Sequence, residues 1–454
     1  MFKGLMAGVS GIRGIVGEGM TPEVALLWSG GFATWVKGGK VVVGRDPRPS
    51  GEMLNMAVLA GLTAAGCDVD DVGITPTPTA ALAVERRGAA GGIIITASHN
   101  PQEWNALKFV GREGRMISEA DFDQLQQIVS EGPLRAVAWD QLGRVNRWDG
   151  AEVMYISAVA GLRILQLDRI KGKQFRVAID CVNGAGSRIY PRLLQALGCE
   201  VIAVNCTPTG IFPRGPEPAP EHITELCRIV VAERCAAGFA VDPDGDRLAA
   251  VDESGVPLGE ELTLAMAMKP VLEVTPGPVV VNSLTSQVID NLAEKFGTVC
   301  HRTRVGEANV AIGMKELGAV IGGEGNGGLI YPELHYVRDA GVGMALILND
   351  LSRSRRSLSE LRGELPSYYM VKRTYPLGER SADEMVAAVE RHYQHDQISR
   401  IDGLRIISDD GWVQVRGSNT EPILRVYAES SDSAHAAAMV DEMIKYLDEI
   451  VSIK

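Results

Sequence analysis

Three aspartates at alternate positions, Asp242, Asp244 and Asp246, stand in the run Val241-Asp242-Pro243-Asp244-Gly245-Asp246-Arg247. Carboxylates so spaced, with Gly245 allowing a sharp bend, can converge on one hard divalent cation through oxygen. Mg2+ takes few protein carboxylates and keeps places for water and phosphate oxygens, which an open three-aspartate site provides. A solvated acidic turn and an EF-hand are the other readings. Counted as an EF-hand from Asp242, the loop has Glu253 at the twelfth position, but Arg247 stands at the sixth, where glycine is needed. The short apolar flanks Gly238–Val241 and Leu248–Val251 predict a turn between two buried strands instead.

A nucleophile lies upstream, in Ile93-Ile94-Ile95-Thr96-Ala97-Ser98-His99-Asn100-Pro101. The β-branched run reads as a buried strand emptying into a turn. Pro101 disfavours a helical conformation at Asn100, so the Ser98 hydroxyl sits in an irregular loop just beyond a strand end. In open α/β sheets that is where ligands bind. A plain turn would use the same residue types. The acidic loop favours the chemical reading, in which Ser98 is a nucleophile or carries a covalent group and Lys108 brings a positive charge back to it.

Two further loops add recognition chemistry. Gly322-Gly323-Glu324-Gly325-Asn326-Gly327-Gly328 holds one carboxylate and one amide among glycines, suited to hydrogen-bonding sugar hydroxyls. Arg416-Gly417-Ser418-Asn419-Thr420-Glu421-Pro422, after the strand-like Trp412–Val415, offers a guanidinium, hydroxyls, an amide and backbone N–H groups, with Arg425 close behind. That is the composition of a phosphate cradle.

These loops need a frame, and the chain repeats one. Lys40–Val43 leads through Gly51 and a helical pattern to Gly66–Val69. Phe175–Ile179 leads to Gly198–Val201, and Pro278–Val281 to Gly297–Cys300. Each is a buried strand, a turn, an amphipathic helix stopped by glycine, then another strand. A spacing of about 100–135 residues suits whole domains, since solenoid repeats run at about 20–50. The segment after Pro366 differs: a charged helix, a turn at Arg400–Leu404, strands, then a helix from near Asp432. The expected fold is α/β, three similar domains with mixed sheets followed by a smaller α+β domain, divided as 1–150, 151–255, 256–367 and 368–454.

Composition bounds the class. The 454 residues exceed one core and suggest three or four domains, and 46% hydrophobic with 22% charged residues is globular. A net charge of −12 argues against nonspecific nucleic-acid binding, so an anionic substrate needs a locally basic pocket, for which Arg13, Lys108, Arg247, Arg416 and Arg425 are available. The seven cysteines include no Cys-x-x-Cys pair, so reduced thiols and a cytoplasmic setting are expected. No stretch reaches the roughly 20 apolar residues of a membrane span.

Taken in order, the four loops resemble the α-D-phosphohexomutases nearly end to end. Ser10-Gly11-Ile12-Arg13-Gly14 and Gly44-Arg45-Asp46-Pro47-Arg48 match that family's pattern too. The resemblance implies a phosphoserine at Ser98, with Asp242, Asp244 and Asp246 holding Mg2+ against an oxygen of that phosphate. Phosphate would pass to a hexose phosphate, giving a sugar 1,6-bisphosphate that turns over and returns its other phosphate to Ser98. The same bisphosphate would serve as activator. Arg13, Lys108 and the adjacent His99 would surround the reacting group; arginine is a poor proton donor, so Arg13 stabilises charge and Lys108 carries the proton. Arg247, Glu324 and Asn326 would bind substrate, and Arg416, Ser418, Asn419, Thr420 and Arg425 the distal phosphate. Many relatives have Ser where Asn326 stands and His where Gly328 stands; His335 is the imidazole that could substitute. Arg304-Val305-Gly306-Glu307 resembles the loop that discriminates between sugars, with Glu307 reading a hydroxyl or an amino group. These features point to the phosphoglucosamine mutase branch, with phosphomannomutase/phosphoglucomutase the near alternative and a monomer or homodimer as the assembly. An aspartyl phosphatase using Asp242 or Asp244, or a non-catalytic sugar-phosphate-binding module, would leave the Ser98 loop without a purpose.

Overall fold

A computed structural model describes residues 4–378, 380–418 and 422–452. Four sheets organise the chain. The first has a parallel half, Gly91–Ile95, Val41–Arg45, Val69–Ile74 and Val145–Arg147. An antiparallel half of Trp104–Gly111, Gly11–Ile15 and Met6–Gly8 extends from Gly91–Ile95. The second runs Leu248–Val251, Ala237–Val241, Arg176–Asp180, Glu200–Val204, and the third Cys300–Thr303, Val279–Asn282, Ile321–Glu324, Gly328–Ile330. Three similar α/β domains and a smaller C-terminal one are what these sheets define.

The repeated unit of the sequence recurs as a parallel strand pair joined by a helix. The helices are Gly51–Ala64, Gly186–Ala196 and Val288–Lys295. Their strands are near-continuous apolar runs, as strands covered on both faces must be. A second regularity matters more for function. In each of the three sheets a parallel strand is followed by one that returns antiparallel: Gly91–Ile95 to Trp104–Gly111, Ala237–Val241 to Leu248–Val251, and Ile321–Glu324 to Gly328–Ile330. The loops between them, 96–103, 242–247 and 325–327, are the serine, aspartate and sugar loops.

The second and third sheets share one hydrophobic core. Phe239 and Val177 belong to the same buried cluster as Val281 and Ile321, through the helices Glu260–Val274 and Ala340–Arg353. The helix Ala340–Arg353 is buried almost all round, as its apolar composition requires. The last domain keeps a core of its own; the first has one too, and also shares a smaller apolar cluster with Ala308 and Val337 of the third.

The C-terminal sheet is wholly antiparallel, in the order Tyr369–Pro376, Ile423–Ser430, Gly411–Gly417, Leu404–Ser408, Gln397–Ser399. Its first strand, Tyr369–Pro376, was not expected from the sequence. It is an edge strand that buries only Tyr375, and Lys372 and Arg373 interrupt its apolar pattern. Strand alternation gives this sheet two unlike faces. Val413, Val415, Leu424, Val426 and Ala428 pack under the helices Ala382–His392 and Ser433–Ser452. The opposite face, Arg405, Trp412, Gln414 and Glu429, is polar yet buried, because it docks on the loop after Val279–Asn282. There Arg405 Nη1 donates to Ser283 O (2.6 Å), Gln414 Nε2 to Ser283 Oγ (3.1 Å), and Gln287 N to Glu429 Oε1 (2.8 Å). Arg405 also lies over the Trp412 ring, 3.9 Å from its centroid. Arg405→Ala is expected to weaken this docking by about 2–3 kcal/mol. Faster chymotryptic cleavage at Tyr368 and Tyr369 would report it, and an unchanged cleavage rate would show that the contact does not hold the domain.

Candidate active site

The serine loop is held from below by one buried side chain. Arg48 is 1% exposed. It donates to Ser98 O (2.7 Å) and Asn100 O (2.8 Å) through Nη2, and to Pro101 O (2.6 Å) and Trp104 O (3.1 Å) through Nη1. Its Nε is anchored on Asp46 Oδ2 (3.0 Å), which also accepts from Thr96 Oγ1 (2.6 Å). Ser98 sits at φ 49°, in the left-handed region that a non-glycine residue adopts only when its surroundings over-determine it. That twist delivers Ser98 Oγ to Asp242 Oδ2, at 2.9 Å.

The aspartate loop joins two domains. Its sharp turn is made at Gly245, φ 72°, where a Cβ would meet Tyr190 Oη at 2.7 Å. Tyr190 Oη donates to Gly245 O (2.5 Å) from within the second domain. From the first, Thr77 gives its hydroxyl to Asp244 Oδ2 (2.6 Å) and its N–H to Asp244 O (2.9 Å). Lys108, expected near Ser98, is buried and donates to Asp244 Oδ2 (2.7 Å) and lies 3.5 Å from Asp246 Oδ2.

Three buried carboxylates thus face Lys108, Arg338, whose Nη2 donates to Asp246 Oδ2 (2.6 Å), and Arg247, whose Nε lies 4.0 Å from Asp246 Oδ1, while among the described residues no ion pair reaches Asp242. Burial, then Asp244 and Asp246, push the Asp242 carboxyl well above the usual range. Burial pushes Asp244 up as well, but Lys108 and the hydrogen bonds to it outweigh this and hold it down. Burial also works against the Lys108 ammonium, yet Asp244 and Asp246 carry it up, so it stays charged. His99, by contrast, is pushed down to about 2 by burial and by Arg247 and Arg338, leaving a neutral imidazole.

The residues fit a divalent cation. Carboxylate oxygens of Asp242, Asp244 and Asp246 lie within 4.8 Å of one another. Asp244 Oδ1 and Asp246 Oδ1 are buried with no hydrogen-bond partner among the described residues. Buried acceptors left unmet in this way are costly unless something supplies charge to them.

Beside the cluster lies a cavity of about 310 Å3. Lys108, Arg247, Glu307, Glu324 and Asn326 line it, as does Lys372 from the C-terminal domain. Asn282 Nδ2 (2.8 Å) and Gly306 N (3.0 Å) donate to Glu324 Oε1, so the sugar loop and the 304–307 loop are tied together. Arg247 Nη1 donates to Glu217 Oε1 (2.6 Å). Arg13 is half-buried, 3.4 Å from Asn100 Oδ1, and feels the charge of Arg425 from the C-terminal sheet. Arg416 donates to Asp402 Oδ1 (3.2 Å), and neither it, Ser418 nor Arg425 lines the cavity. Asn419 and Thr420 lie outside the described residues.

His335 does not substitute for the imidazole absent at 328. It is buried, its Nδ1 accepts from Val337 N (3.0 Å), and its Nε2 is therefore the donor to Asp339 Oδ2 (2.9 Å). Asp339 in turn caps the helix Ala340–Arg353, so this histidine orders a helix start. Sequence motifs gave no role to Arg48, Thr77 or Glu261, and no motif contained Arg338.

A serine hydroxyl on a carboxylate cluster that fits a cation, next to a polar cavity, suits phosphoryl transfer, and similarity to known proteins narrows the class. Residues 4–135, 153–255, 259–369 and 375–445 match, in order, "Phosphoglucomutase/phosphomannomutase, alpha/beta/alpha domain I", the corresponding domains II and III, and the "Phosphoglucomutase/phosphomannomutase, C-terminal domain". A "Probable phosphoglucosamine mutase" of Methanopyrus kandleri is 39% identical over 441 residues, 96% of each chain. The "Phosphoglucomutase/phosphomannomutase" of Thermococcus kodakarensis is 38% identical over 98% of this chain and 99% of its own. The crystal structure of a phosphoglucomutase/phosphomannomutase family protein from Burkholderia thailandensis superposes with a TM-score of 0.85 at 27% identity, covering 98% of both chains. This chain belongs to the phosphoglucomutase/phosphomannomutase family of α-D-phosphohexomutases and resembles its members named phosphoglucosamine mutase. It is an isomerase, an intramolecular phosphotransferase, of a metal-dependent family.

Two outcomes follow from the geometry. Asp244→Ala is expected to weaken Mn2+ binding by about a hundredfold or more, read by electron paramagnetic resonance; unchanged binding would place the cation elsewhere. Arg48→Lys cannot serve four carbonyls at once and is expected to lower kcat at least about tenfold with little change in Mn2+ affinity.

Proposed function

We propose that the enzyme interconverts glucosamine 6-phosphate and glucosamine 1-phosphate through a phosphoserine at Ser98 and a sugar 1,6-bisphosphate. The observation that carries this reading is the 2.9 Å hydrogen bond from Ser98 Oγ to Asp242, which joins the hydroxyl to the carboxylate cluster. Asp242, Asp244 and Asp246, with an oxygen of the phosphoserine, would hold Mg2+. When bound, Mg2+ supplies charge neutralisation to a phosphoryl group moving between oxygens.

The chain's own residues do the rest. Lys108 acts from its ammonium form, stabilising phosphoryl oxygens and giving a proton to the leaving Ser98 oxygen, the proton released by the attacking sugar hydroxyl restoring the ammonium. Arg13 adds positive charge on the same side, and His99 stays neutral beside the serine. Arg416, Ser418, Asn419, Thr420 and Arg425 would grip the phosphate that is not reacting, which orients the attacking hydroxyl toward Ser98. Release of Arg416 from Asp402 is the local change this requires.

An amino sugar is favoured by the two carboxyl groups of the cavity wall, Glu260 and Glu261, that its cations Lys108, Arg247, Arg338 and Lys372 do not pair. Glu217, Glu260, Glu261, Glu307 and Glu324 line it. Neither Glu260 nor Glu261 has an ion-pair partner among the described residues. Burial raises the Glu261 carboxyl to about 8, and a substrate ammonium would reverse that effect. The name carried by the Thermococcus kodakarensis relative favours phosphoglucose or phosphomannose as the second reading. No described helix is long and apolar enough to cross a membrane. A cytoplasmic setting, a monomer or homodimer, and no nucleic-acid partner complete the proposal.

Turnover followed by phosphorus NMR tests it, on glucosamine, glucose and mannose phosphates with Mg2+ and a trace of sugar bisphosphate. Glucosamine phosphate is expected to turn over fastest, and Ser98→Ala to abolish both turnover and the phosphate seen by intact mass. Faster turnover of mannose or glucose phosphate would overturn the choice of sugar; net phosphate release would overturn the mutase.

A further inference from the structure

One side chain forms the wall between the aspartate loop and the sugar cavity. Arg338 is 7% exposed and lines the cavity. Its Nη2 donates to Asp246 Oδ2 (2.6 Å) and its Nη1 to Glu324 Oε2 (2.8 Å), while its backbone N–H donates to Glu307 Oε1 (2.8 Å). A guanidinium offers five N–H donors in a planar fork, so two bonds leave most of that capacity unused. Nε in particular is buried with no hydrogen-bond partner among the described residues, although Glu307 Oε2 lies 3.3 Å away in poor alignment. A guanidinium keeps its charge, so the group is a cation held at the cavity wall between Asp246 and Glu324.

Gly328 explains how this side chain gets there. It opens the return strand Gly328–Ile330, and its φ lies outside the range that favours glycine. Space is the constraint. A Cβ at 328 would stand 2.3 Å from Arg338 Cδ, 3.0 Å from Arg338 Cγ and 2.9 Å from Asn326 Oδ1. The stem of Arg338 fills the place that a side chain at 328 would take.

We propose that Arg338 contacts the substrate, its unused N–H groups donating to an oxygen of the bound sugar phosphate, and that residue 328 is glycine because only glycine admits it. The proposal rests on the mutase reading of this cavity and goes beyond it in naming the residue and its steric partner. Because the same guanidinium joins Asp246 Oδ2 to Glu324 Oε2, it also fixes the sugar loop relative to the residues that would hold the metal.

A double-mutant cycle tests this, using calorimetric titration of glucosamine 6-phosphate with Mg2+ into full-length enzyme carrying Ser98→Ala, so that nothing turns over. Arg338→Ala is expected to weaken binding at least about tenfold. Gly328→Ala is expected to do the same with Arg338 present, and to cost clearly less once Arg338 is alanine, because Cδ and Cγ of Arg338 are gone and only the 2.9 Å approach to Asn326 Oδ1 remains. Arg338→Gln keeps the stem without the charge and covers a failure of Arg338→Ala to fold; it should lose binding yet keep the steric cost of Gly328→Ala. Equal affinity with and without Arg338, or an undiminished effect of Gly328→Ala in the Arg338→Ala background, would overturn the proposal. If the parent binds no hexose phosphate at all, the mutase reading fails, and this proposal with it.

Discussion

Three carboxylates packed within 4.8 Å of one another and shielded from water repel unless positive charge is brought to them. The loop that carries them turns its own Arg247 toward Glu217. Arg247 Nε still lies 4.0 Å from Asp246 Oδ1, but the closer cations come from elsewhere: Lys108 from a strand of the first sheet and Arg338 from the segment after the third. Neutralising the cluster therefore requires three domains to meet at one point. Thr77 and Ser98, both from the first domain, complete the contact. The electrostatic demand of a single loop accounts for much of how the first three domains are arranged around it.

That meeting is possible because each α/β domain presents the same structural element. A parallel strand ends, the chain bends, and an antiparallel strand returns. The bend carries chemistry in each case: a hydroxyl, a carboxylate set, or a carboxylate and amide. Irregular backbone at a strand end can be held rigid while remaining accessible. The serine loop shows the cost, with Ser98 in a left-handed conformation and Arg48 needed to gather four carbonyls beneath it. The C-terminal domain follows another plan. Alternate residues of its central strands face either helices or the third domain, so a buried polar face forms without breaking the strand pattern.

What could be read in the sequence was local. The spacing of Asp242, Asp244 and Asp246, the strand before Ser98 and the glycines around Glu324 each announce themselves within a few residues. The repeated strand–helix–strand units were fainter, carried by recurring apolar runs and glycine stops that any α/β chain can show. What could not be read was distant. Arg48 meets Ser98 across 50 residues, Arg338 meets Asp246 across 92, and Thr77 meets Asp244 across 167. A lone arginine or threonine has no periodicity to mark it. The strand Tyr369–Pro376 escaped for a related reason: at a sheet edge, with one buried side chain, it carries no apolar signature. His335 shows the opposite error, a chemically able residue whose position beside Asp339 makes it part of a helix cap.

The core common to the second and third sheets has a consequence for how such a chain can be recombined. Helices Glu260–Val274 and Ala340–Arg353 bury apolar side chains that Phe239 and Val281 both touch through one continuous cluster. A chimaera that exchanged either of these domains alone would join halves of a core that were never fitted to one another, leaving voids or overlaps. The last domain closes around its own interior, whereas the first, besides its own core, packs Val84 and Val110 in one cluster with Ala308 and Val337 of the third and lends Leu82 to the central core. Four units are visible in the sequence, but the central pair can be exchanged only together, and the serine-bearing domain is fitted to it as well. The aspartates and Glu324 thus sit on a single packing unit.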